Sequence, residues 1–298
     1  MISVLIPVFN QDVNILVARL SAGLSYIGQA GEIIVMEDGS APAYQQINSP
    51  IATLPFVRYI AHAQNQGRAR IRQLLATAAK GEWLLFLDGD SELCRDNFLR
   101  QYYEAIQTNT GVVVGGRTYS PAPPGDCTLR LHWKYGSARE GRRPGDQQQP
   151  AFMTNNFLIE AQYFNQLSFD TGGEGYGHED TWIGIQLEKA GIPVRYIDNP
   201  VLHAGLEKNT VFISKSENAL HNLHQLSARV PGEVLARHVK LFRMYQTLKA
   251  CNGLWVVKGV YKLLGSYITR NLHSCHPSLT LFDLYRLQYF IRLHDPRS

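Results

Sequence analysis

The chain has 298 residues, 45% hydrophobic and 18% charged, proportions that fit a folded globular protein and exclude a disordered one. No apolar run reaches the roughly 18 residues that argue for a membrane-spanning helix, and Met1 leads into a strand-like run rather than a secretory leader. The net charge of +4 hides an asymmetry: residues 1–207 hold 16 Lys and Arg against 21 Asp and Glu, a net of −5, while 208–298 hold 13 against 4, a net of +9.

Ser3–Val8 reads as a buried strand and residues 12–28 as a helix. Strands are predicted again at 33–36, 56–60 and 83–87, with a helix from Gln66 to Lys80, and the texture changes after Val112-Val113-Val114. Near-continuous apolar strands between helices predict an α/β fold, a mostly parallel sheet covered on both faces. Residues 119–150 are rich in Pro, Gly and Arg and read as one long loop. Order resumes at Ala151–Ile159, a Gly-rich stretch leads into a helix from Thr181 that stops at Gly191, and 194–198 is a last strand. From Val211 onward the chain reads mainly as helix. Two parts follow: a domain over 1–207 containing the 119–150 loop, and a basic helical region over 208–298. Cys94, Cys127, Cys251 and Cys275 are far apart and form no CxxC pair or disulfide framework, so reduced thiols and a cytoplasmic chain are expected.

The acids fall at strand ends. Glu37-Asp38-Gly39-Ser40 follows the second strand and Asp88-Gly89-Asp90 follows the fourth. Ligands of open α/β sheets bind beyond the carboxyl ends of the strands, so two such clusters can share one crevice. Two aspartates around a glycine suit a hard divalent cation bridging to phosphate. A calcium loop starting at Asp88 fails, because Leu93 and Leu99 stand where Gly and Glu are needed. A phosphatase-type nucleophile at Asp88 remains an alternative, although it leaves Glu37-Asp38 unexplained. His178-Glu179-Asp180 opens a helix, where Asp180 is either an N-cap or a carboxylate kept ionised as a general base. His203 gains weight only if the fold carries it beside Asp90.

Together these residues resemble the family 2 glycosyltransferases, inverting enzymes with a Rossmann-like GT-A fold, over residues 1–207. Ser3–Asn10 is similar to the opening strand of that family, which implies contact of Pro7, Val8 and Phe9 with the nucleotide base. Glu37–Ser40 resembles the second motif, which implies that Asp38 accepts a hydrogen bond from uracil. Asn65-Gln66-Gly67 with Arg72 resembles the Asn-x-Gly…Ala-Arg-Asn segment, with Ile71 and Gln73 departing from it. The other reading of Arg68, Arg70 and Arg72 is a solvated helix face. Asp88-Gly89-Asp90 then corresponds to the DxD motif: the resemblance implies Asp90 and His203 as ligands of Mn²⁺ or Mg²⁺, and Asp88 on metal or ribose. It also implies Asn155 and Asn156 near the donor sugar, His178 and Glu179 on the donor and acceptor side, and Asp180 as the base.

None of Trp83, Trp133, Trp182 and Trp255 follows an arginine, so the Gln-x-x-Arg-Trp motif of the processive synthases is missing. The expected function is therefore non-processive transfer of one sugar from a nucleotide-diphosphate donor, a UDP-sugar by preference, to a glycan or lipid-linked glycan in cell-surface polysaccharide assembly. A nucleotide-sugar-binding protein without turnover is the alternative. The 119–150 loop is a candidate acceptor lid, with Trp133 and Tyr135 to stack on sugar and Arg139, Arg142 and Arg143 to meet phosphate. Residues 253–264 mix large apolar residues with lysines, which suits a peripheral contact at the inner face of a membrane; packing on the domain is the preferred reading. No nucleic-acid-reading module is recognisable.

Overall fold

Nearly every residue of the first strand, β1 (Ile2–Val8), is buried, as a strand covered on both faces must be. The computed structural model describes residues 1–108, 111–141, 152–169 and 177–295. After β1 come α1 (Asn14–Ile27), β2 (Gly31–Asp38), α2 (Pro42–Asn48), β3 (Val57–His62), α3 (Arg68–Ala78), β4 (Trp83–Leu87), β5 (Ser91–Leu93), α4 (Phe98–Ile106), β6 (Val112–Val114) and β7 (Arg117–Thr118). Next are α5 (Arg130–Tyr135), β8 (Asn156–Glu160), α6 (Ala161–Phe164), α7 (Glu179–Lys189), β9 (Val194–Tyr196) and β10 (Val201–His203). The helices α8 (Asn209–Ser227), α9 (Gly232–His238), α10 (Lys240–Ala250), α11 (Leu254–Leu272) and α12 (Leu279–His294) complete the described chain.

Two compact units divide it. The first comprises Met1–Tyr119, Gly141–Phe169 and Gln186–Gly205. Its main sheet runs β3-β2-β1-β4-β8-β6-β9. β1 pairs in parallel with β2 and β4, β2 with β3, and β6 with β9. Only β8 is antiparallel to its neighbours in this sheet. This is the predicted mostly parallel sheet flanked by helices. Ile2, Val4, Ile6 and Val8 share one face by strand alternation and meet Leu16, Val17, Leu20 and Leu24 of α1 and Phe98, Leu99 and Tyr102 of α4. Each such fully buried side chain contributes about 1.5–3 kcal/mol relative to an exposed one. A small sheet, β5-β10-β7, is built from segments too short for the sequence pattern to reveal.

The second unit comprises Ser120–Glu140, Asp170–Ile185 and Leu206–Ser298, and is helical throughout its described elements. Two expectations change here. The stretch predicted as a loop is helical over much of its described part: a 3₁₀ turn at Cys127–Leu129, then α5, then a π-helical turn at Gly136–Glu140. Tyr135 packs on Phe212 and Phe282, its hydroxyl accepts from Arg286 Nη1 at 3.2 Å, and Arg139 pairs with Asp283 at 2.7 Å. Tyr135 and Arg139 are thus committed inside the helical unit; Arg142 and Arg143 lie outside the described residues. The cysteine expectation also fails in part, because Cys127 and Cys275 form a disulfide across a sequence separation of 148 while Cys94 and Cys251 are free. Sequence spacing hides that pair, since only the packing of these helices brings its halves together.

Candidate active site

Because β1, β2 and β4 are parallel, Val8, Asp38 and Leu87 end at one edge of the sheet, where a crevice is expected. Asp38 is buried there. Its Oδ1 accepts from Gln66 N at 2.5 Å and its Oδ2 from Gly67 N at 3.1 Å, while its carbonyl accepts from Asn65 Nδ2 at 3.0 Å. One carboxylate thereby shapes the Asn65–Gly67 turn, and each oxygen keeps a further lone pair. Gly39, at φ +70°, must be glycine because a Cβ would overlap the Asn65 backbone nitrogen.

Glu37 does not share the crevice. Strand alternation sends it to the other face, where it is fully buried and accepts from Ser40 Oγ, from Asn48 Nδ2 at 2.7 Å and from Tyr59 Oη at 3.3 Å. Burial, aided by the Glu37 charge and hydrogen bond, pushes the Tyr59 hydroxyl up to about 12.

Arg72 is buried rather than on a solvated face, and its Nη2 lies 3.0 Å from Asp88 Oδ1. The pair ties α3 to the end of β4. Asp88 N donates to Asn155 O at 3.0 Å, which places Asn155 beside the Asp88-Gly89-Asp90 turn. Asn155 is itself buried, with an Oδ1 that has no hydrogen-bond partner among the described residues. Asn156 differs. Its Oδ1 accepts from Tyr102 Oη at 2.6 Å and its Nδ2 donates to the Gly116 and Asn199 carbonyls, both at 2.9 Å, so its amide is spent within the core.

β10 runs antiparallel to β5 with His203 opposite Ser91, and Ala204 N donates to Asp90 O at 3.1 Å. This pairing carries His203 Nδ1 to 3.2 Å from Asp90 Oδ2, the proximity on which its assignment depended. The Tyr119 ring stands edge-on to the imidazole at 5.4 Å. Burial pushes the Asp90 carboxyl up, but the His203 hydrogen bond and charge, with Arg117 and Arg68, more than offset it and hold it below the usual value. Asp90 Oδ1 is buried without a hydrogen-bond partner among the described residues. An ionised carboxylate with one unsatisfied oxygen beside an imidazole is a donor set that fits a divalent cation. No cluster of three His, Cys, Asp or Glu exists among the described residues, so further ligands would have to come from a bound diphosphate or water.

The remaining predicted positions are distributed. Pro7 is partly exposed, Val8 turns into the core, and Phe9 is 55% exposed just past β1. Gly67 precedes α3 at φ +83°. In the helical unit, His178 adopts φ +66° and Glu179 and Asp180 form the first turn of α7, so Asp180 is not the N-cap. His178 Nδ1 is 3.0 Å from Thr181 Oγ1, and Glu179 Oε2 accepts from Gly177 N at 3.0 Å. Burial, with the Arg286 charge, lowers the His178 imidazole to about 4. The Gly-rich residues 171–176 lie outside the described residues.

Sequence reasoning passed over Gly205, where a Cβ would overlap Asp90 Oδ2, and Tyr119, which borders His203. The signal for the first was present as the glycine two residues after His203; nothing local marks the second.

Among curated proteins, the chain is 28% identical over 196 residues to polypeptide N-acetylgalactosaminyltransferase 12 of Mus musculus, covering 58% of this chain and 34% of that protein. It is 26% identical over 184 residues to the glycosyltransferase GlyG of Streptococcus pneumoniae serotype 4, covering 58% and 60%. The chain thus spans between about a third and three-fifths of these relatives. Among solved structures, the mannosyltransferase PcManGT of Pyrobaculum calidifontis, in complex with GDP-Man and Mn²⁺, superposes with a TM-score of 0.61 at 14% identity, covering 100% of this chain and 88% of that one. That likeness identifies the fold as GT-A. The family model for glycosyl transferase family 2 matches residues 3–168, more than half of the chain, and the chain belongs to that family.

Proposed function

We propose that the chain is a non-processive, inverting glycosyltransferase that moves one sugar from a nucleotide-diphosphate donor, a UDP-sugar by preference, to a glycan or lipid-linked glycan in cell-surface polysaccharide assembly. The observation that carries the reading is Asp90: a partly exposed carboxylate beside His203 whose Oδ1 is buried and has no hydrogen-bond partner among the described residues, in the turn whose Asp88 pairs with Arg72. A divalent cation, Mn²⁺ or Mg²⁺, held by Asp90 and His203 would supply positive charge to the departing diphosphate.

Each residue then has a role. Phe9 offers an exposed ring to the base, with Pro7 and Val8 contributing backbone at the same strand end. Asp38 accepts a base N–H on a lone pair left over from its Gln66 and Gly67 bonds. Gly67 and Arg72 border the diphosphate, and Asp88 binds ribose or supports the metal. Asn155, whose Oδ1 has no hydrogen-bond partner among the described residues, is assigned to the donor sugar; Asn156 supports it from the core. Asp180 removes the proton from the acceptor hydroxyl as that oxygen attacks the anomeric carbon from the side opposite the diphosphate, which inverts the configuration. His178, neutral at pH 7, and Glu179 fix the turn that carries Asp180 and border the acceptor.

The cytoplasm is the proposed compartment. Cys94 and Cys251 are exposed free thiols, as in a reducing environment, although the Cys127–Cys275 disulfide runs against that and has to persist there, and no helix among the described residues is long and apolar enough to cross a membrane. The functional test is calorimetric titration of UDP, GDP and TDP, with and without Mn²⁺, into wild type and Asp90→Asn. Metal-dependent binding of one nucleotide, weakened in the variant, supports the reading; no binding of any nucleotide by wild type overturns it.

A further inference from the structure

α11 is apolar on both sides. Its inner side chains Val257, Ile268 and Leu272 are buried in the cores of the helical unit. On a neighbouring, solvent-facing side Val256, Val260, Leu263 and Tyr267 recur at helical spacing, with Trp255 and Leu264 beyond its edges, and all six are exposed, with Trp255 at 72% and Leu263 at 85%. The outer face of a helix packed on its own domain is ordinarily polar, so this stripe calls for an occupant.

The charges on the same helix say which. Lys258, Lys262 and Arg270 are its only charged residues, and it has no carboxylate. Along one flank of the stripe runs a shallow groove of about 650 Å³ lined by Lys262, Ser266, Thr269, Arg270 and His273, cations and hydroxyls suited to a phosphate group. The whole region 208–298 carries a net +9. A second copy seated symmetrically on this helix would bring like charges together with no acid of α11 to pair them. The helix is also too polar to cross a bilayer.

We propose that α11 lies in the interface of an anionic phospholipid bilayer. The stripe around Leu263 enters the acyl boundary, and Lys262 and Arg270 meet the lipid phosphates. The proposal stands independently of the transferase reading.

The test is flotation of the full chain with phosphatidylcholine vesicles, pure or mixed with phosphatidylglycerol. Binding is expected to the mixed vesicles, weakened by salt, with brominated lipid quenching an emission that Trp255→Phe removes. Lys262→Gln with Arg270→Gln should lower partitioning about tenfold or more. Leu263→Glu with Tyr267→Glu should abolish it at unchanged melting temperature, because both side chains are already solvated. No flotation of wild type with either vesicle overturns the proposal. So does a dimer in sedimentation that Leu263→Glu dissolves in a chain that never binds vesicles, which would make a second copy the occupant.

Discussion

Gly205 lies against Asp90 so closely that a Cβ at position 205 would overlap Asp90 Oδ2 and stand 3.1 Å from both Cβ and Cγ of that aspartate. The carboxylate cannot simply swing away, because Oδ2 is held by His203 Nδ1 at 3.2 Å. Gly205→Ala should therefore push Asp90 off the imidazole while leaving the sheet intact. Mn²⁺-dependent nucleotide binding is expected to weaken about tenfold or more, the cost of roughly one lost charged hydrogen bond, with little change in melting temperature. Calorimetry beside a thermal melt checks this; wild-type affinity in the variant would mean that the Asp90–His203 arrangement does not serve binding.

Arg72 and Asp88 form the second constraint on the same turn. Arg72→Gln removes the guanidinium from a buried position and leaves Asp88 without its cation. The expected loss is about 2 kcal/mol of stability, in the range for a hydrogen bond to a charged group, together with weaker nucleotide binding. Asp88→Asn should cost more stability, since it leaves the buried Arg72 guanidinium without a counter-charge whereas Asp88 itself is partly solvated, and weaken binding comparably. Urea unfolding of both variants separates the contributions, and equal stability losses would contradict this division.

Much of the site was legible because its acids sit directly after apolar strands. β2 and β4 end in acid clusters, and their parallel pairing through β1 follows from their buried texture. What was not legible depends on direction or on distant contacts. Glu37 and Asp38 are adjacent in sequence, but strand alternation sends one to Asn48 and the other to the Asn65–Gly67 turn. Asn155 and Asn156 separate in the same way, one beside the Asp88-Gly89-Asp90 turn and the other locked onto Tyr102 and Gly116. His203 reaches Asp90 through β5 and β10, strands of three residues each that carry no periodic signal. In the Pro- and Gly-rich stretch, α5 forms because tertiary packing of Leu131 and Tyr135 outweighs local propensity.

The disulfide belongs wholly to the helical unit and ties the turn before α5 to the segment between α11 and α12. Replacing both cysteines, Cys127→Ser with Cys275→Ser, frees a long loop in the unfolded chain and should cost about 2–4 kcal/mol. Dithiothreitol should lower the melting temperature of wild type toward that of the variant and leave the variant unchanged. Sensitivity of the variant to reductant would show that the effect lies elsewhere, since Cys94 and Cys251 are unpaired.

The base role proposed for Asp180 separates chemistry from binding. Asp180→Asn keeps the size and the helix-terminal position but cannot accept the acceptor proton, so turnover should fall by about 10²–10⁴. Donor nucleotide affinity should stay within about twofold, the donor contacts being assigned to other residues. Transfer assays with a labelled donor, paired with calorimetry, test both halves. Loss of donor affinity in step with turnover would make Asp180 a structural residue.

His178 should make the fold sensitive to mild acid. Burial and the Arg286 charge hold its imidazole down to about 4 in the folded chain, against about 6.5 when unfolded. Between those values the unfolded chain binds a proton that the folded chain refuses, so stability falls as pH drops from 6.5 toward 4 and is unaffected by this group above 7. The full penalty is bounded at roughly 3 kcal/mol. Asparagine accepts the positive φ of this position, so His178→Asn should remove the dependence without straining the turn. Urea midpoints at pH 7 and pH 5 give the measurement: the drop between them should be smaller in the variant than in wild type. Equal drops would mean that other groups carry the acid sensitivity and that His178 titrates alike in the folded and unfolded chains.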